Sequence, residues 1–265
     1  MSDQLTPQDV VRSYIERGMR VVYWPAIGDA KGPRFEGWPT AAYPLEDFQP
    51  GYRVGLLTGT EIRPGRFLHD VDIDWAPGAV IAQAMLPPTD MVFGRPSKRV
   101  SHCLYTLPEG LPSFAFLDIK IDPKDKAAPA TLIELRGCKT DGSIGLQSMV
   151  PPSVWSKEGR HEPLQFVRNG DPTHYPEVSI WKQRVTYAAI GMLLARHLGV
   201  NGFGHDTRLA WAGFLLRAGI GIEDLVAMGE AMSIVCENRE VADVRRVVES
   251  TAANLERGGK KVKGG

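Results

Sequence analysis

The hydrophobic rhythm of the chain changes near residue 176, and that change limits the folds open to it more than any other feature. Before it, apolar runs are short and broken by glycine and proline, as in strands joined by turns. Beyond it, apolar residues recur at helical spacing over long stretches. Strands followed by helices read as an α+β chain with segregated elements. The expected division is a strand-rich domain over 1–175, a small all-α helical bundle over 178–258 and a flexible tail over 259–265.

Within the first part, Thr6 and Pro7 open a helix that Gly18 ends. Strands are expected at 19–24, 52–58, 66–73, 91–94, 101–107, 116–121, 131–136 and 146–150. A short helix at 79–86 is stopped by Pro87 and Pro88. Residues 25–50 and 151–176 read as irregular structure, the latter holding five prolines. In the second part, helices are expected at about 178–198, 206–218, 222–235 and 240–257. Asp206 is expected to cap the second, and Glu223 and Asp224 to sit in the first turn of the third. Leu209, Ala212, Gly213 and Leu216 mark one apolar face.

Thirty-one basic residues balance thirty-one acidic ones across 265 residues. Any nucleic-acid binding must therefore use a local basic surface. No window offers a membrane-spanning apolar run, and no basic region followed by an apolar run opens the sequence, so no export signal is expected. Cys103, Cys138 and Cys236 lie far apart, which argues against a disulfide framework or a Cys-rich zinc site. The expectation is a cytoplasmic chain with no membrane partner.

The sharpest local feature is the run Asp70-Val71-Asp72-Ile73-Asp74 in an expected strand. Alternate side chains share a face, so the three carboxylates point one way and His69, Val71 and Ile73 the other. Three acids on one face repel each other and are costly to bury, unless a hard divalent cation such as Mg²⁺ or Mn²⁺ joins them. Paired carboxylates holding two such ions are a common way to align phosphoryl transfer. The bland alternative is an exposed strand end with solvated acids. Glu134 and Arg136 alternate onto one face of a later strand, as a third ligand and a phosphate-gripping fork, or as a plain surface ion pair.

The stretch Phe93-Gly94-Arg95-Pro96-Ser97-Lys98-Arg99-Val100-Ser101-His102 gathers cations, hydroxyls and a histidine. Gly94 and Pro96 imply a tight turn whose N–H groups can face an anion such as a triphosphate. Taken alone, the stretch is more often a solvated turn, and His102 a structural residue. Trp38, Trp155 and Trp211 read as packing residues, with Trp38 or Tyr52 as a base-stacking alternative. The glycine-rich segment 199–204 is not a dinucleotide fingerprint, and no P-loop occurs.

The ordered set Lys31-Gly32-Pro33, Gly37-Trp38, Val54 to Gly59, Asp70-Val71-Asp72-Ile73-Asp74, Phe93 to His102, Ile133 to Gly137, Gln147 and Pro151-Pro152-Ser153 resembles one family. It is similar to the bifunctional primase–polymerase (prim-pol) domain of the archaeo-eukaryotic primase superfamily, found in phages, plasmids and integrated mobile elements. The likeness covers about residues 8–170. It implies a primase–polymerase core with a split, RRM-like mixed or antiparallel sheet. It implies Asp70, Asp72 and Glu134 as catalytic carboxylates holding two Mg²⁺ or Mn²⁺ ions. His102 maps to the nucleotide-contacting histidine, although Ser101 adjoins it where the family leaves one residue between. Ser97, Lys98 and Arg136 are expected to bind the triphosphate, and Asp74 is an extra acid without an assigned role.

The helical part is similar to the segment that often follows this domain. The implied activity is template-directed DNA priming and polymerisation. Its partners would be single-stranded DNA template, NTPs and dNTPs, and a replicative helicase, fused or separate. The rival readings are a metal-dependent nuclease using the same acids, a non-catalytic replication or DNA-binding module and, more distantly, a sugar-nucleotide transferase.

Overall fold

The computed structural model describes residues 6–119, 130–238 and 240–258. Its elements are α1 (Pro7–Glu16), β1 (Val21–Trp24), β2 (Arg53–Leu57), β3 (Glu61–Arg63), β4 (Arg66–Ile73), α2 (Ala79–Met85), β5 (Met91–Arg95), β6 (Lys98–Leu107), β7 (Phe114–Leu117), β8 (Thr131–Arg136), β9 (Gln147–Val150), β10 (Val154–Lys157), β11 (Arg160–Pro163), β12 (Gln165–Asn169), β13 (Thr173–His174), α3 (Val178–Leu198), α4 (His205–Arg217), α5 (Ile222–Val235) and α6 (Asp243–Glu256). The protein is thus α+β, with antiparallel sheets and six α-helices among the described residues. The expected tail at 259–265 and the end of the strand expected at 116–121 lie outside the described residues.

The chain forms two compact units. The first holds, among the described residues, 6–74, 88–115 and 133–178; the second holds 75–87, 116–119, 130–132 and the helices from 179 onward. The short helix α2 therefore clusters with the later helices and not with the strands that flank it in sequence.

In the first unit α1 starts with a closed capping box. The Thr6 hydroxyl accepts the Asp9 N–H at 3.2 Å and the Asp9 carboxylate accepts the Thr6 N–H at 3.0 Å. Gly18 ends the helix at φ +79°, where an added Cβ would lie 2.3 Å from the Ile62 carbonyl oxygen. Val11 and Tyr14 of α1 then enter a core with Val21, Tyr23, Val54, Leu56, Leu68, Phe93, Leu104 and Val150.

Among the described residues there are three sheets. One runs β1-β2-β9, one is the ribbon β10-β11, and the largest runs β12-β5-β6-β4-β8-β7, with β3 on β4 and β13 parallel to β6. The stretch 151–176, expected to be irregular, instead supplies β10 to β13. Its prolines fit because Pro163 closes β11 of the two-stranded ribbon, Pro151, Pro152 and Pro172 fall between strands, and Pro176 precedes α3. The ribbon turns through Glu158 and Gly159, at φ 51° and 78°, the positive values a two-residue hairpin turn needs. In the largest sheet β4 lies between β6 and β8, which explains why both faces from Leu68 to Ile73 are buried.

In the second unit α4 and α5 begin after Gly204 and Gly221. Asp206, expected as the cap, sits one turn-position inside α4, where it still favours the helix dipole. Glu223 and Asp224 occupy the first turn of α5 as expected. The buried residues of α4 are Arg208, Trp211, Ala212, Gly213 and Leu215: Ala212 and Gly213 of the expected stripe are buried, while Leu209 and Leu216 are part-exposed and Arg208, Trp211 and Leu215 turn inward instead. Helix α6 starts at Asp243, later than expected, and buries Val244, Val247 and Val248. Gly229 permits a close approach: a Cβ there would meet Val244 at 2.6 Å and Trp211 at 2.7 Å. No described helix is long and apolar enough to cross a membrane. All three cysteines are free and buried.

Candidate functional site

The geometry of the site follows from the register around β4. Asp72 pairs with His102 of β6 on one side and with Glu134 of β8 on the other. Cross-strand partners share a face, so three residues distant in sequence become neighbours. Along that face burial falls stepwise. Leu68 belongs to the core, Asp70 is fully buried, Asp72 is 4% exposed, and the Asp74 side chain just past the strand is 39% exposed. One strand thus runs from the hydrophobic core to the mouth of a cleft with a cavity volume of about 270 Å³.

Asp72, Asp74 and Glu134 converge. Each offers one carboxylate oxygen, and these oxygens lie within 4.8 Å of one another. Of the expected trio Asp70, Asp72 and Glu134, the last two belong to this group, and its third member is Asp74. Asp70 faces the same way but spends its Oδ2 on His102 Nδ1 at 2.8 Å and on the Ser148 hydroxyl at 2.5 Å. His102 also stacks on Phe93, with ring centroids 4.7 Å apart. On the opposite face His69 is structural: its ring nitrogens meet the Phe67 carbonyl and the Leu111 N–H, both at 2.9 Å.

Cations surround the acids. Arg136 reaches Asp72 Oδ2 at 2.7 Å and Glu134 at 3.2 Å, while Lys98 Nζ lies 3.9 Å from Asp72 and 3.8 Å from Asp74. Burial alone would push the Asp72 carboxyl up, but His102, Arg136 and Lys98 together hold it below the ordinary range. Asp74 moves up through burial and the neighbouring Asp72 charge. Glu134 also moves up, chiefly through burial, against the pull of Arg136. Burial disfavours the charged His102, yet Asp72 and Asp70 outweigh it and raise its pKa.

The residues fit a hard cation. Asp72 Oδ1 and Asp70 Oδ1 are buried without a hydrogen-bond partner, and buried carboxylate oxygens are rarely left so. Three carboxylates at this spacing, one of them with an unpartnered buried oxygen, form a set that can hold a metal ion.

Of the expected nucleotide-binding residues, Lys98, His102 and Arg136 line the same cleft as Asp72 and Asp74. Ser97 does not. It lies in the β5–β6 turn, where Gly94 is needed because a Cβ would meet the Lys98 carbonyl oxygen at 2.2 Å. The Ser97 N–H and hydroxyl both go to Glu162 of β11, at 2.7 Å each. The expected anion-binding turn thus already holds a carboxylate of the chain itself.

Residues not expected at the site also line the cleft, among them Arg95, Met149, Trp155, Lys157 and Leu164. Lys31 and Gln147 join them, and the Gln147 amide donates to the Lys31 carbonyl at 2.5 Å. Trp38 packs on Val22, Trp24 and Leu57, and Tyr52 packs beside Tyr23 and Phe48, so both serve the core. Trp211 is buried in the helical unit. The chain matches no protein-family model, and no curated protein matches it.

Proposed function

We propose that the first unit is a metal-dependent, template-directed nucleotidyltransferase, a DNA primase–polymerase of the prim-pol kind. One observation carries this reading: Asp72 and Asp74 line a cleft together with Lys98, Arg136, His102 and further cations, and a Glu134 oxygen converges on theirs. The register supports it as well, since the acidic run, the histidine and the third acid of the resemblance sit side by side on β4, β6 and β8.

Asp72, Asp74 and Glu134 are the ligands for Mg²⁺ or Mn²⁺. Bound divalent ions would supply charge neutralisation at the attacking 3′-hydroxyl and the departing pyrophosphate. Lys98 and Arg136 grip triphosphate oxygens, Arg136 through its planar fork. Asp70 orients the His102 ring toward that work. Template contacts would run mainly to phosphates and weaken with salt. A replicative helicase is the natural working partner of such an activity.

The test is incorporation of labelled NTPs or dNTPs on single-stranded DNA with Mg²⁺ or Mn²⁺, with and without primer. We expect metal-dependent products that fall by roughly 10²–10³-fold in Asp72→Ala, the scale for losing one electrostatic catalytic group. Products without primer identify a primase. No incorporation by the native protein in either metal overturns the reading, and shortening of the template replaces it with a nuclease.

A further inference from the structure

The acids and phosphate-facing cations account for one part of the cleft and leave another wall unexplained. That wall is the β10–β11 ribbon, which belongs to neither larger sheet. Trp155 and Lys157 alternate onto the ribbon face that borders the cleft. Glu162 lies directly across from Trp155 on the same face. Glu162 accepts two hydrogen bonds from Ser97 and stands 3.6 Å from Arg95. Arg95 in turn lies over the Trp155 ring, its guanidinium carbon 3.6 Å from the centroid.

This arrangement is unlike a core tryptophan. Trp155 is only half-buried, and its nearest plane is a delocalised cation. Aromatic faces and arginine planes are the two protein surfaces on which nucleobases stack. Met149 and Leu164 provide apolar lining in the same cleft, which suits the face of a heterocycle.

We infer that Trp155, with Arg95 as the neighbouring plane, is the stacking surface for the base of the nucleoside triphosphate. The inference rests on the nucleotidyl-transfer reading above. The cleft then has two recognitions built from different parts of the chain: β4, β6 and β8 take the metal-bound phosphates, and the ribbon takes the base. Glu162 fixes the ribbon to the β5–β6 turn and so sets where the ring stands.

Calorimetric titration separates the two. ATP and inorganic tripolyphosphate, each with Mn²⁺, are titrated into the native protein and into Trp155→Leu, Trp155→Gln and Trp155→Phe. The native protein is expected to bind ATP more tightly than tripolyphosphate. Losing the ring in the Leu or Gln variant should weaken ATP roughly tenfold and leave tripolyphosphate unchanged, while the Phe variant stays near native. Two ring-less variants are carried so that a folding failure of one leaves the other to decide.

Equal weakening of both ligands, or of neither, overturns the assignment, and so does a Phe variant as weak as the Leu variant. A native protein that binds both ligands equally does not read the base; the inference falls and the nucleotidyl-transfer reading stands. A native protein that binds neither ligand removes both.

Discussion

The Asp72 cluster of the first unit and the Asp243 cluster of the second are both knots of opposite charge, and they are finished differently. Asp243 uses both oxygens: Oδ2 accepts from His205 at 2.9 Å and Arg208 at 3.2 Å, and Oδ1 accepts from Arg246 at 3.0 Å. Fully buried Arg208 also reaches Asn238 at 2.7 Å and lies over Phe203, leaving only its Nε without a hydrogen bond. The Asp72 cluster gathers more acid and leaves two carboxylate oxygens orphaned inside the protein. In the cluster that holds helices together, both carboxylate oxygens of Asp243 are spent on hydrogen bonds. Unspent acceptors beside Asp74 and Glu134 are compatible with completion by a cation.

The largest effect that tests this contrast is Arg208→Leu. It strands Asp243 beside its remaining partners and should cost about 3–5 kcal/mol of stability, the scale for breaking a buried pair. Urea unfolding followed by helix circular dichroism measures it. Asp74→Asn should do the reverse, staying within about 1 kcal/mol of native without metal, because that carboxylate is part-exposed and repelled by Asp72. Equal losses in the two variants would erase the distinction.

A smaller effect sharpens it. Mn²⁺ at about a hundred times its dissociation constant contributes about 2.7 kcal/mol, a rise of several degrees in melting temperature for a chain of this size. The rise should vanish in Glu134→Gln and Asp74→Asn and persist in Arg208→Leu. No rise in the native protein would leave the orphaned oxygens without a purpose.

The smallest effect concerns acid. The Asp243 carboxyl is held down to about 2, chiefly by the hydrogen bond from His205 and then by Arg246 and Arg208. A depressed carboxyl stabilises the fold above its ordinary value near 3.8 and loses that contribution as pH falls toward 2. Helix content of the native protein should therefore drop between about pH 4 and 2, and Asp243→Asn should flatten that part of the curve. An unchanged curve would show that Asp243 does not govern acid stability.

These contrasts also show what a sequence can carry. The strands β4 and β8 and the helices from Val178 onward are legible because alternation and helical spacing are local. The ribbon and β12 are not, because Arg160, His161 and Glu162 put polar groups on both faces and five prolines imitate a linker. The choice between Asp70 and Asp74 is also invisible locally. Both share one face with Asp72 and flank it equally, and only the fold shows that Asp70 lies opposite Arg136 and gives an oxygen to His102 and Ser148, while an Asp74 oxygen comes near one of Glu134. Trp155 reads as packing for a similar reason: nothing in the sequence joins it to Arg95.

The ribbon carries a dynamic consequence. A two-stranded hairpin is marginal by itself in water. This one is tied at its base through Leu164 to Ser153 and Arg53 to Val154, and farther along through Glu162. Its amides should exchange with solvent by local opening, well before those of β4 and its neighbours, which require the whole sheet to come apart. The cleft thus combines a floor held by a many-stranded sheet with one wall of ten residues held by few ties, so that an occupant's dwell time can be set by how often that wall opens.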